Sequence, residues 1–201
     1  MEGGYVMAMF MPLLRDAIMP LHDEAEKRGP LRKIPEKTMT LNEYREVLGR
    51  LYGFVSVFEK AAEPLMTNYN AEIEWQKRKR MEPLEDDLIF LGETRTALDN
   101  LPRYETVSNV RDMSHVLGVL YLFEGSRLGG LVLAKALREK FGFQDYQGYA
   151  YFSSNGAEVV PMWQDFKNFM ESYVASNGGE AEIISSAKAG FDALNRWLDS
   201  F

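Results

Sequence analysis

The sequence predicts an all-α fold, with helices packed around one core. Three observations predict it. Apolar residues recur at helical spacing through almost every long segment. Those segments are bounded by residues that start or stop helices, such as the Thr40–Glu43 pair and the Gly29-Pro30 and Asn177-Gly178-Gly179 runs. Short stretches with strand character, such as "YAYFSS" at 149–154, are too isolated to build a sheet.

The first helix is read from Met7 to Arg28 and is ended by Gly29 and Pro30. Pro20 lies inside it and should bend it just before His22. The second opens with "TLNE", where Thr40 as N-cap and Glu43 three residues on form a capping box. It runs to Ala62, and Pro64 interrupts it. The basic run Lys77-Arg78-Lys79-Arg80 reads as a solvated loop or helix face. A shorter helix covers Leu84 to Leu98 and stops before Pro102. The fourth runs from Val107 to Phe141, followed by a loop with Gly142, Gly148 and Gly156. The fifth spans Val160 to Ser176 and the last Ala181 to Phe201.

The chain's 201 residues are 46% hydrophobic, enough for one sizeable core, and no linker or repeat divides them. It is read as a single domain over 1–201. A net charge of -7 argues against nucleic acid as a partner. The absence of cysteine excludes disulfides, thiolate metal sites and cysteine nucleophiles, and suits a reducing cytoplasm. The start "MEGGYVMAMFMPLL" is mildly apolar without a basic leader and does not read as a signal peptide. No stretch reads as long and apolar enough to span a membrane, so no membrane partner is expected.

The fourth helix contains "LYLFEGSRLGGLVLAKAL", Leu120 to Leu137, with Gly125, Gly129 and Gly130 at its centre. Each glycine in a helix costs about 1 kcal/mol relative to alanine, so the set costs about 3 kcal/mol. Gly125 and Gly129 are four apart and share a face, which Gly130 widens. A face without side chains admits either a closely crossing helix or a flat ligand lying against the backbone. Arg127 falls about 200° around the helix from Gly125, at about 100° per residue, and should project to the opposite side and, as a long charged side chain, reach water.

The chain has two histidines, His22 and His115. With no cysteine, a buried iron would need His, Tyr, Met or a carboxylate as ligand. His22 has Glu26 one turn later on its face, where a carboxylate can orient the imidazole and raise its basicity. A plain surface or core histidine is the alternative for His22. His115, among apolar residues, reads as a satisfied core histidine.

On these residues the sequence resembles a known family. "LLRDAIMPLHDEAE", Leu13 to Glu26, resembles the proximal helix of heme oxygenases, and "LYLFEGSRLGG" their distal helix. The latter is most similar to a bacterial branch often found beside bacteriophytochromes, with its Leu-Glu-Gly-Ser-x-Leu-Gly-Gly motif. "YREVLGRLYGFVSVFE", "FKNFMESY" and "SSAKAGFDALNRWL" fit in the same order, so the resemblance covers nearly the whole chain.

The resemblance implies a multi-helix fold with heme held between the first helix and the glycine helix. It implies His22 as the iron ligand and Glu26 as its orienting partner. Gly125, Gly129 and Gly130 would cover the distal face, and Ser126 would join the heme contacts. Arg15 and Lys167 would pair with the propionates. The implied reaction oxidises heme at a bridging meso carbon, with O2 and electrons from an external donor such as a ferredoxin or reductase. Its products are biliverdin, CO and Fe2+. A bare distal backbone steers oxygen toward the ring edge by sterics.

Three departures stand out. Arg127 occupies the variable motif position, where an inward side chain would block the pocket. Ile18 stands where eukaryotic members carry a threonine. Glu171 stands one turn beyond Lys167, where an arginine helps to place heme in those members, and an acid there would repel a propionate. Arg127 and Glu171 motivate a second reading, a protein of the same fold that binds heme through His22 without turnover. A thiaminase-like hydrolase of related architecture would rely on a cysteine that this chain lacks.

Overall fold

The computed structural model describes residues 9–200, in which all regular structure is helical. Helix α1 (Phe10–Arg28) ends where the Gly29 N–H donates to the Ala25 carbonyl. The expected start at Met7 lies outside the described residues. Helix α2 (Leu41–Met66) begins with the expected capping box: Glu43 N–H donates to Thr40 Oγ1 at 3.2 Å, and Thr40 N–H to Glu43 Oε2 at 2.7 Å. Neither Pro20 nor Pro64 ends its helix, so α2 runs beyond the expected stop.

Other elements depart from expectation for local reasons. One-turn helices α3 (Asn70–Ile73) and α4 (Trp75–Arg78) follow α2. The segment expected as Leu84 to Leu98 splits into α5 (Met81–Phe90) and α6 (Arg95–Asp99). The split falls where Gly92 takes φ +99°, after which Thr94 caps α6 by accepting the Ala97 N–H at 3.1 Å. Helix α7 (Met113–Phe141) starts later than expected, where Asp112 accepts the His115 N–H at 3.1 Å. The "YAYFSS" segment is no strand: it holds the single turn α8 (Ala150–Ser153). Asp87 on α5 caps that turn, accepting from Ala150 N–H at 2.8 Å and Tyr151 N–H at 2.9 Å. Helices α9 (Val159–Asn177) and α10 (Glu180–Leu198) complete the chain, joined by Gly178 and Gly179 at φ +69° and +89°.

Helix α10 lies along α7, and the contact depends on Gly118: a Cβ there would fall 2.6 Å from the Ile183 carbonyl oxygen and 2.8 Å from Ala187 N. Helix α1 packs on α10 and α9, and α7 packs on α10, α9 and α8. The two thus share α9 and α10 as supports while making little contact with each other. By length and composition α7 would suffice to cross a membrane, with a mean hydropathy of 1.5 over 18 residues, contrary to the sequence expectation. In the structure it is a core helix, and 61% of that window is buried.

Gly118→Ala sets a methyl group against backbone that cannot yield locally. It should cost about 1–3 kcal/mol, which is a fall of several degrees in Tm. Gly190→Ala on α10, whose Cβ would meet Val119 at an ordinary 3.5 Å, should not destabilise. Equal stability of Gly118→Ala and the parent would show that the crossing is not tight.

Asp87 gives a pH prediction. Burial pushes its carboxyl from 3.8 up to about 7 against the two N–H bonds. A carboxyl raised in the folded state contributes stability that is full below its unfolded value and lost as pH rises through the folded one. Asp87→Asn should therefore flatten the Tm profile between about pH 4 and 7; an unchanged slope contradicts this.

Candidate functional site

The structure separates the glycines of α7 by role. A Cβ on Gly129 would meet nothing within 4 Å, and one on Gly125 only Trp163 Cη2 at 4.0 Å. Gly130 differs: its Cβ would fall 2.8 Å from the Phe152 carbonyl oxygen, so it serves the crossing of α8 and not the open face expected of it. Both explanations of the glycines thus hold, at different positions. Val132, within about 20° of Gly125 on the helix wheel, is 64% exposed, and Leu128 is 39% exposed. The Gly125–Gly129 face is therefore open, smooth and flanked by uncovered apolar surface.

On α1, His22 is half exposed and its ring lies edge-on to Phe191 of α10, with centroids 6.4 Å apart. Its Nε2 is 3.8 Å from Glu26 Oε1, an ion-pair separation longer than a hydrogen bond. The ring nitrogen nearer Glu26 is therefore Nε2.

Lys167 reaches one aromatic pair, and the charge of Arg15 on α1 acts on the same pair. Tyr121 and Trp163 pack with centroids 5.7 Å apart beside Gly125. Lys167 Nζ lies 5.9 Å from the Trp163 ring centroid. Burial raises the Tyr121 hydroxyl's pKa, and the positive charge of Arg15 acts against that. The Arg15 guanidinium also pairs with Asp16 at 2.8 Å, both being well exposed. His22 lies two turns further along α1, about 10 Å at 1.5 Å per residue. That is the reach from a porphyrin's centre to the carboxylate of a propionate arm. The residues present thus fit heme: an imidazole, a bare apolar wall, and cations at one end.

Other site expectations are corrected. The Ser126 hydroxyl donates to the Phe123 carbonyl at 2.9 Å and accepts from Arg80 Nη1 at 2.9 Å, so it is engaged within the protein and not poised for heme. Glu171 does not face Arg15 and Lys167. It accepts the N–H groups of Phe10 at 2.9 Å and Met11 at 2.8 Å, capping α1, which has no side-chain cap of its own. His115 is partly exposed and pairs through Nδ1 with Asp112 at 2.9 Å. Arg127 points away from the open face as the wheel implied, but it does not reach water as expected: it is 2% exposed, because buried Glu124 and backbone acceptors take its guanidinium.

The largest miss is the basic run. Lys77 and Lys79 reach the surface, where they pair with Glu74 and Glu63, but Arg78 and Arg80 are buried. Arg78 bonds Glu124 Oε2 and the Ile73 carbonyl, and reaches the Met162 carbonyl at 3.2 Å. Arg80 donates to the Phe123 and Tyr151 carbonyls at 3.0 Å, and its N–H to Glu59 at 2.5 Å. Burial raises Glu59 to about 7 and lowers Arg80 to about 10. The available signal was Glu59 and Glu124 standing in otherwise apolar helix stretches, each needing a buried cation.

Two stability measurements test this assignment. Gly129→Ala should raise stability by about 1 kcal/mol, since the methyl group enters open space and the helix gains propensity; a loss would show the face to be packed. Glu171→Ala should lower stability by roughly 1 kcal/mol through loss of the α1 cap; no change would show the cap to be inert.

Comparison with known proteins places the chain in a family. The family model described as Heme oxygenase matches residues 8–200. A heme oxygenase of Xanthomonas campestris pv. campestris (strain 8004) is 30% identical over 150 residues, 74% of this chain and 84% of that protein. Among solved structures, the heme oxygenase of Leptospira interrogans superposes with a TM-score of 0.82 at 16% identity, covering 96% of this chain and all of that one. Heme oxygenase-1 of the cyanobacterium Synechocystis sp. PCC6803, solved in complex with heme, gives a TM-score of 0.74 at 18% identity, covering 96% of this chain and 91% of that one. The family match over nearly the whole length, with a curated relative at this identity, establishes that the chain belongs to the heme oxygenase family.

Proposed function

We propose that this heme oxygenase cleaves heme held in the cleft between α1 and α7, with His22 as the iron ligand. The observation that carries the reading is the open Gly125–Gly129 face beside Tyr121 and Trp163, the pair that Lys167 reaches and the charge of Arg15 acts on. Heme itself supplies the iron that activates O2, with electrons from an external donor of the ferredoxin or reductase kind. The protein's residues do the rest.

Glu26, one turn along the same helix face, orients the His22 imidazole. Arg15 and Lys167 hold the propionates by charge-assisted hydrogen bonds and so set the in-plane angle of the ring. The backbone at Gly125 and Gly129 would line the face of the ring opposite His22, where it offers a smooth steric wall without a charged side chain. Biliverdin, CO and Fe2+ leave the open cleft. The lack of cysteine fits a reducing cytoplasm.

The non-catalytic reading loses both of its motives. Arg127 is bonded inside the protein and does not block the cleft. Glu171 is engaged at the α1 N-terminus and does not confront a propionate.

Hemin titration tests the reading. The parent should bind one equivalent with a Soret band, and reduction in air should convert it to biliverdin with release of CO. His22→Ala should shift or abolish that band, while His115→Ala should keep it. An unchanged spectrum in His22→Ala would overturn the iron-ligand assignment, and a parent that bound hemin without turnover would restore the non-catalytic reading.

A further inference from the structure

The bare face of α7 raises a mechanical question. Along Gly125 to Gly129 there is little side-chain packing on the cleft side to fix the rotation of the helix about its axis. The opposite side holds a buried polar lock at the same level. Arg127, midway between the two glycines, bonds Glu124 Oε1 through Nε at 3.1 Å, the Arg78 carbonyl through Nη2 at 2.6 Å, and the side chain of Asn155 through Nη1. Glu124, with no exposed surface, also takes Arg78, which in turn holds the Met162 carbonyl of α9. One α7 turn is thereby fixed to α4, α9 and the loop after α8.

The chemistry of the lock is directional. A planar guanidinium satisfies its acceptors at one setting only, whereas apolar contacts tolerate sliding. A buried ion cluster adds little net stability over apolar residues of similar volume, so stability alone does not account for it. Rotation of α7 by about 10° would move its surface by about 1 Å, given a helix about 10 Å across. Displacements of that size at a reacting centre change rates by orders of magnitude.

We propose that Arg127 is a positioning residue for heme cleavage: acting through Glu124, Arg78 and Asn155, it sets the rotational angle of α7, and hence which part of the ring edge the Gly125–Gly129 wall confronts. This rests on the reading of the cleft as the heme site. Arg127 touches neither heme nor O2; it acts through the helix.

The test uses Arg127→Met, which keeps similar volume and leaves Arg78 and Glu124 as a neutral pair, and Arg127→Lys, which keeps charge without the planar fork. Asn155→Gly removes one anchor without changing charge and suits the left-handed φ of +70° there, so the test survives a folding failure of Arg127→Met. The first readout is 19F NMR of the ligand-free protein labelled with 5-fluorotryptophan. Trp163 lies beside Gly125 and Tyr121, while Trp197 lies against Arg50 of α2 and serves as the control. The second is the distribution of biliverdin isomers with the kcat and KM of turnover.

In Arg127→Met the Trp163 resonance should move or split while Trp197 holds. Cleavage should spread to further meso positions, and kcat should fall at least tenfold with KM for hemin nearly unchanged. Arg127→Lys and Asn155→Gly should shift the same way by less. An unmoved Trp163 resonance, or an isomer distribution and kcat equal to the parent's, overturns the proposal. A parent that binds no hemin would instead bring down the heme reading, and with it the cleavage half of this proposal; the Trp163 resonance still decides the helix half separately.

Discussion

Glu124 is a carboxylate with no exposed surface, held between Arg78 and Arg127, and the placement of the whole distal wall depends on that contact. Removing an ion from water is costly, and the cost is met here only because both cations come with further hydrogen bonds to backbone carbonyls. Arg78 arrives from α4, and Asn155 in the loop after α8 holds Arg127, so short elements that look like connectors are what α7 leans on. Asp87 holds α8 in turn, and α8 presents the Phe152 carbonyl against which Gly130 closes. The chain of support runs from α5 through α8 to the back of α7, leaving its front free.

That division of labour explains why one helix carries so many glycines. Gly118 and Gly130 are required by neighbours: the backbones of α10 and α8 stand where a Cβ would be. Gly129 is required by nothing within the protein, and Gly125 by little. A residue that forgoes about 1 kcal/mol of helix propensity without a packing reason marks a surface kept smooth for something outside the chain. The α1 side shows the same economy. Its N-terminus has no local cap, and Glu171 of α9 supplies one, so the helix bearing His22 is seated by the element that also brings Lys167.

What the sequence disclosed follows the range of the interactions involved. The Thr40–Glu43 box, the Asn177-Gly178-Gly179 stop and the His22–Glu26 spacing are local, and each could be read directly. The position of Arg127 followed from helix periodicity alone. The burial of Arg78 and Arg80 did not, because it depends on an extended link at Lys79, with ψ 142°, that turns alternate residues of a charged run to opposite sides. Glu171 could not be placed either: its partners are 160 and 161 residues away, and its charge suggested repulsion from a ligand when its role is a helix cap. "YAYFSS" misled for a related reason, since a carboxylate on α5 makes its single turn.

The central claim is that heme sits between α1 and α7, with His22 on one side and the Gly125–Gly129 backbone on the other. Anomalous diffraction at the iron edge from crystals of the hemin complex measures this most directly. The account predicts one iron peak at bonding distance from a ring nitrogen of His22, with the ring plane facing Gly125 and Gly129. An iron peak at His115, or a heme plane away from the glycine face, would contradict it.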